Sequence, residues 1–222
     1  WDYIRAVFHT VMLKDIVERN NIRNVSFLNT LLRYFADTIG KLSSLNNISK
    51  FMKSQGLDVS VKSIAAYLNY FRDAYLLLTV DRFDIHGKKL LESNEKIYFG
   101  DVGLRNLIAG GERQGDIEKI LENIVYQQLV RMGYAVSVGQ LRAGEVDFVC
   151  TKSNERLYVQ VAYLIASEET EEREFGSLDN IKDNYPKYVI SMTPLVRRSD
   201  RQGVIHLGLR EFLKNGFEKK LP

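Results

Sequence analysis

Two acidic side chains stand where acids are least expected. Glu122 shares a helix face with Val125 and Leu129, and Asp147 interrupts the apolar run Val146, Phe148, Val149. A carboxylate at the edge of a core is costly unless a partner or a metal balances it, so both are candidate ligands. A pair of acids, one on a helix and one on a strand, is suited to holding a divalent cation that polarises a phosphate and helps generate hydroxide. On the next strand, Leu157-Tyr158-Val159-Gln160-Val161-Ala162, Gln160 offers an uncharged carbonyl oxygen with weak affinity for Mg²⁺. Ala162 can neither orient water nor donate a proton.

Other chemistries are poorly represented. His9, His86 and His206 lie far apart in the chain, without the spacing of metal ligands. The single Cys150 reads as a small core residue on a strand. No G-x-x-x-x-G-K-[ST] phosphate loop occurs, which argues against nucleotide hydrolysis by these residues alone. The acids Glu168, Glu169, Glu171, Glu172 and Glu174 read as the start of a helix, where negative charge favours the positive dipole end; a divalent-ion or basic-partner site is the alternative. Phe175, Tyr185 and Tyr188 read as packing aromatics and not as a base-stacking platform.

The elements that must position these groups follow from periodicity and turn residues. Residues 1–24 carry amphipathic helical sequence from Trp1, ending near Asn20-Asn21. Leu28, Leu31, Leu32 and Phe35 share a helical face. A short helix from Ile48 to Ser54 stops at Gly56, and Ser60 caps a longer one with Val61, Ile64, Ala65, Leu68 and Phe71 inward. Strands follow at Leu76–Phe83 and Lys96–Phe99 around a tip at 84–88. Three helices and a hairpin make a winged-helix arrangement over 25–110. In a DNA-binding version Lys62, Asn69 and Arg72 on the last helix, with Arg82, Lys88 and Lys89 on the wing, face nucleic acid.

Gly110-Gly111 and Gly115 mark the boundary to a second domain, 111–222. There a helix (116–132) precedes strands near 134–138, 145–150 and 156–163. A helix at 170–181, strands at 188–192 and 204–206 and a short helix near 211–214 complete it. The expected class is α+β or α/β: a helical winged-helix domain, then an αβββαβ domain.

An acid in a helix, an acid in the next hairpin and an E-x-K triplet on the following strand mark the PD-(D/E)xK, or restriction-endonuclease-like, superfamily. The chain resembles that pattern at Glu122 and Asp147 and departs from it at Gln160-Val161-Ala162. The resemblance implies catalytic positions at Glu122, Asp147 and Gln160, with Mg²⁺, if any, on Glu122 and Asp147. It also implies a site disarmed by loss of the third acid and the water-orienting lysine. Lys182 or Lys187 as a relocated lysine is the active alternative. The strings Lys96-Ile97-Tyr98-Phe99-Gly100-Asp101-Val102-Gly103-Leu104-Arg105-Asn106, Gly144-Glu145-Val146-Asp147-Phe148, Tyr158-Val159-Gln160-Val161-Ala162 and Asp183-Asn184-Tyr185-Pro186-Lys187-Tyr188 resemble the C-terminal portion of prokaryotic AAA-superfamily ATPases. That resemblance implies an ATPase core upstream of Trp1, with residues 1–24 its tail or lid, and ATP bound only there.

Composition is permissive. Over 222 residues, 45% are hydrophobic and 27% charged, with net charge +3, ordinary for a globular chain. The basic excess falls in the first half and is small, so it permits nucleic-acid contact without arguing for it. No apolar run approaches the ~20 residues of a membrane span and no signal peptide opens the chain, so a cytoplasmic, membrane-free protein is expected. The leading expectation is a non-cutting recognition module serving the ATPase, with DNA or a protein as partner. An active Mg²⁺-dependent nuclease and a purely structural, oligomerising module are the alternatives.

Overall fold

The computed structural model describes residues 1–111, 114–142, 144–194 and 198–218. They form a mixed α/β protein of eight α-helices, one π-helix, one 3-10 helix and nine strands, counted among the described residues. The chain divides into two compact units, Trp1–Val80 with Ser93–Gln114, and Asp81–Glu92 with Gly115–Pro222. Two long strands, β2 (Leu77–Asp84) and β3 (Lys89–Phe99), give one end to each unit. The hairpin tip therefore belongs with the second unit, whereas the sequence placed the whole hairpin in the first. Among the described residues, no helix is long and apolar enough to cross a membrane.

The first unit opens with α1 (Asp2–Thr10), which runs into wider π-helical turns over Val11–Glu18. Helices α2 (Val25–Asp37), α3 (Leu45–Ser54) and α4 (Val61–Asp73) follow. Each has the cap its sequence demands: Asn24, Ser44 and Ser60 accept the backbone N–H groups of Phe27, Asn47 and Ser63. Leu28, Leu31, Leu32 and Phe35 are buried as periodicity requires, and Phe35 meets Phe71 of α4 edge-on at 6.2 Å. The α4 stripe is narrower than expected. Ile64, Leu68 and Phe71 are buried, while Val61, in the first turn, is exposed and Ala65 is half-buried.

Two elements were not anticipated here: a short strand β1 (Leu42–Ser43), antiparallel to β3, and helix α5 (Val102–Ala109). Gly100 lies against the Tyr75 carbonyl, where a Cβ would collide with backbone. Asp101 then caps α5 by accepting the Leu104 N–H at 2.7 Å, and Gly110 ends it at φ 83°. Arg105 is completely buried. Its Nε donates to the Ala36 carbonyl at 3.0 Å, and its Nη1 to Asn106 at 3.2 Å. A cation on carbonyls near the end of α2 also suits that helix's dipole.

In the second unit the strands lie in the order β2-β4-β5-β6-β7-β9-β8, where β4 is Ala135–Gln140, β5 Glu145–Lys152, β6 Glu155–Ala162, β7 Lys187–Ser191, β8 Arg198–Arg201 and β9 Val204–Gly208. β4, β5 and β6 form an antiparallel meander, and β6, β7 and β9 run parallel. Helices α6 (Ile117–Arg131) and α7 (Glu168–Asp179) precede β4 and β7, and α8 (Leu209–Asn215) follows β9. The order α6-β4-β5-β6-α7-β7 agrees with the expected one; β8 is additional. Phe175, Leu178 and Ile181 close the core over Val146, Val149, Tyr158, Val189 and Val204. On α6, Tyr126 packs against Phe148, 6.0 Å between ring centres. Gly139 is required in β4, because a Cβ would meet Ile85 and Val149 at 2.9 Å.

At the ends of the parallel strands, Ser191 and the buried His206 are hydrogen-bonded at 2.8 Å. Burial holds the His206 pKa below its ordinary 6.5, against the opposing charge of Glu171. The unfolded chain therefore binds more protons than the folded one in the interval below 6.5. Stability from this group is full above that pH and is lost as pH falls toward the lowered folded value.

Two outcomes are expected from urea unfolding. Arg105→Met, which orphans the Ala36 carbonyl, should cost about 2 kcal/mol; an unchanged midpoint would make the arginine dispensable. Between pH 7.5 and 5.5 the natural protein should lose more stability than His206→Gln, and parallel losses would exclude His206 as the source.

Candidate functional site

The geometry of the site comes from a parting of two strands. β5 and β6 pair from Lys152↔Glu155 up to Phe148↔Val159. Beyond that point, β5 stays with β4 through Gly139↔Val146 and Gln140↔Glu145, while β6 stays with β7 through Gln160↔Val189 and Ala162↔Ser191. The register of β4 and β5 also shifts between Ser137 and Gly139, and such an irregularity re-aims neighbouring side chains.

Side chains bridge the gap. The Asp147 backbone N–H donates to Gln160 Oε1 at 3.2 Å, and Asp147 Oδ2 accepts the Val161 N–H at 2.9 Å. Gln160 Nε2 then donates to Glu174 Oε2 of α7 at 3.1 Å. Glu174 is held in turn by Arg173, whose Nε and Nη2 lie 2.9 and 2.7 Å from its Oε1. Hydrogen bonding to Glu174 and its charge, with Glu118 and Glu169 also near, raise the Arg173 pKa. Asp147 and Glu174 are 4% and 6% exposed, so these bonds operate out of bulk water, where an unmet partner costs most.

Of the three positions singled out by sequence, the structure joins Asp147 and Gln160 directly. Glu122, 3% exposed on α6, pairs with Lys119 one turn earlier. The spacing of three residues makes this a local helix pair. Ala162 is buried. Lys182 donates to the Asp179 carbonyl, and Lys187 to the Asp183 carbonyl at 2.8 Å, so both lysines have local duties. Among the described residues, no three His, Cys, Asp or Glu side chains come close enough to hold a metal ion. The donor set therefore does not fit Mg²⁺ as it stands: an amide occupies the third position, and one Asp147 oxygen is given to a backbone N–H.

Sequence reasoning missed Glu174, which it grouped with the exposed acids at the start of α7. The acids Glu168, Glu169 and Glu171 do occupy the first turn beside the Ser167 cap. Glu174, however, precedes the buried Leu178 by four residues and Ile181 by seven. That spacing puts it on the apolar stripe, and it was the available signal.

The residues proposed for nucleic-acid contact fall in two groups. Lys62, Asn69 and Arg72 are exposed on α4 in the first unit. Lys88 and Lys89 are exposed at the hairpin tip, which Asp84 shapes by accepting the His86 and Gly87 N–H groups at 3.0 and 2.9 Å. Arg82 differs from expectation. It is half-buried and donates to Gln140 across the β2–β4 pair.

Comparisons with known proteins give kinship without an activity. Residues 1–115 match a family described as "Domain of unknown function (DUF8612)". An uncharacterized protein of Haemophilus influenzae is 36% identical over 188 residues, 85% of this chain and 46% of its own length. Uncharacterized protein MJ1544 of Methanocaldococcus jannaschii is 30% identical over 188 residues, 82% of this chain and 40% of its own. The chain thus spans less than half the length of these relatives. A solved structure, protein VC1899 from Vibrio cholerae, aligns over 85% of this chain and 54% of its own at 13% identity. Its TM-score of 0.30 is too low to carry a fold argument. With just over half of its residues matched by that one family, the chain belongs to the DUF8612 family.

Proposed function

We propose that this chain is a recognition arm within a longer protein: a winged-helix unit joined to a nuclease-like unit that has given up cutting and retains contact with nucleic acid. The observation that carries the reading is the Gln160 amide. It lies between Asp147 and Glu174, accepting from one and donating to the other. A carboxylate at 160 could not donate to Glu174, and would stand as a like charge between two acids. Gln160 thus suits a site stabilised by hydrogen bonds and not by a metal. The order α6-β4-β5-β6-α7-β7 and the parting of β5 from β6 at Asp147 support descent from a PD-(D/E)xK ancestor. The resemblance at 96–106 and 183–188 supports an ATPase core as the partner within the same polypeptide, where ATP would bind. Nucleic-acid contact rests on Lys62, Asn69 and Arg72 of α4 and on Lys88 and Lys89 of the tip.

A second reading has one observation in its favour. α7 brings an acid, Glu174, onto Gln160, with the cation Arg173 paired to that acid. In that reading Mg²⁺ binds Asp147 and Glu174, and the protein cuts.

Three measurements separate these readings. With Mg²⁺ or Mn²⁺, plasmid and single-stranded DNA should remain intact; cutting that Asp147→Ala abolishes would reverse the proposal. Millimolar Mg²⁺ should leave the melting temperature of the natural protein unchanged. Gln160→Glu should melt lower in chelator and recover in part with Mg²⁺, because a third carboxylate repels its neighbours and adds an anionic oxygen, while Asp147 and Glu174 keep their present partners. Duplex DNA should bind weakly, with affinity falling as salt rises by about 0.9 logarithmic units per phosphate contacted. Lys88→Ala with Lys89→Ala should flatten that slope, and no binding at low salt would favour a protein partner instead.

A further inference from the structure

A groove of about 660 Å³ in the second unit lies at the β5–β6 turn, away from the seam at Asp147. Its volume is that of a small-ligand site. Two cations line it, and each is held against an aromatic ring. The Lys152 ammonium stands 5.6 Å from the centre of the Tyr134 ring and donates to the Met132 carbonyl at 2.8 Å. The Arg156 guanidinium lies over Phe83 at 4.9 Å and over Tyr185 at 5.4 Å. Rings that fix a cation lower the entropy lost when it grips an anion.

The arginine is also incompletely satisfied. The guanidinium hydrogen-bonds the Tyr158 side chain, while its Nε is buried and has no hydrogen-bond partner among the described residues. One Lys152 donation is accounted for, and an ammonium has three. The groove further contains Tyr185, 42% exposed, and the Tyr188–Phe217 pair, 4.3 Å between ring centres. Glu155 and Glu218 also line it; like Lys152 they are exposed to solvent, so all three charges are screened alike and the half-buried Arg156 is the least screened charge of the groove. Fixed cations beside open rings are the elements that hold single-stranded nucleic acid, phosphate on cation and base on ring.

We propose that this groove binds one nucleotide unit of a single strand, with the phosphate on Lys152 and Arg156 and the base against Tyr185. The inference rests on the reading of the protein as a nucleic-acid recognition arm and assigns that arm a strand preference. It uses none of the residues of the α4 and hairpin groups.

The test is fluorescence anisotropy of the whole chain with a labelled oligothymidylate of twenty nucleotides, and with a labelled duplex, at low salt. Tyr185→Ala should weaken single-strand binding about five- to tenfold and leave duplex binding unaltered, with a melting temperature lowered slightly by loss of the ring under Arg156. Tyr185→Phe, which keeps the ring, should bind as the natural protein does. Lys152→Gln should weaken the single strand similarly and reduce its salt dependence. If Tyr185→Ala and Lys152→Gln both bind the single strand normally, the groove is not the site; duplex binding that persists then leaves the proposed function standing. If the natural protein binds neither probe, both fall together.

Discussion

The constraint on which the second unit depends is the parting of β5 and β6 beyond Phe148↔Val159. Where two strands of one sheet diverge, buried backbone groups lose their ladder partners, and each unmet group costs about as much as a lost hydrogen bond. Asp147 and Gln160 fill that gap. One takes the Val161 N–H on its carboxylate, and the other takes the Asp147 N–H on its amide oxygen. The acid is therefore explained by architecture before any chemistry is invoked. So is the amide: a residue that must accept from one neighbour and donate to another is met by Asn or Gln and by no ionised acid. Glu174 and Arg173 continue the same line outward, so a buried carboxylate ends on a guanidinium near the surface.

In the first unit the comparable constraint is the stretch from Lys96 to Asn106. Its residues are specific because each solves a packing problem. Gly100 leaves room for the Tyr75 carbonyl, Asp101 starts α5, and Arg105 carries a buried charge to the end of α2. The family model that matches residues 1–115 covers this stretch. It locates no reaction. This is why kinship here reaches architecture sooner than activity, and why the site had to be argued from its own bonds.

How far the sequence could be read follows from the same physics. Helices with strong stripes and good caps, α2 and α4, were legible because local signals and burial agree. The meander β4–β6 was legible from β-branched runs broken at turns. α5 was hidden because its stripe is short and two of its three buried members, Arg105 and Asn106, are polar. β1 has two residues and exists only because β3 lies beside it. Arg82 looked like a wing cation, yet strand pairing turns it onto Gln140, which tertiary context alone decides. Glu174 was concealed by composition: five acids within seven residues suggest a solvated face, and only the offset to Leu178 sets it apart. The pairing of Asp147 with Gln160 was readable as proximity, but the direction of their hydrogen bonds was not.

A cluster of this kind holds a metal or does not according to the balance between charge and hydration. Mg²⁺ gives up its water reluctantly and is retained where several anionic oxygens replace that shell. Around Gln160 the structure offers two carboxylates, but Arg173 neutralises one and a backbone N–H occupies an oxygen of the other. The field at the amide is accordingly weaker than two acids alone would give. The hydrogen bonds now present must also break before oxygens can turn inward, and in a buried setting that loss is substantial. Holding a metal here would therefore require more than one new acid: it would need Arg173 displaced from Glu174 and another partner for the Val161 N–H. A single substitution at 160 supplies the charge without that rearrangement, so the metal affinity it creates should be modest and far short of catalysis.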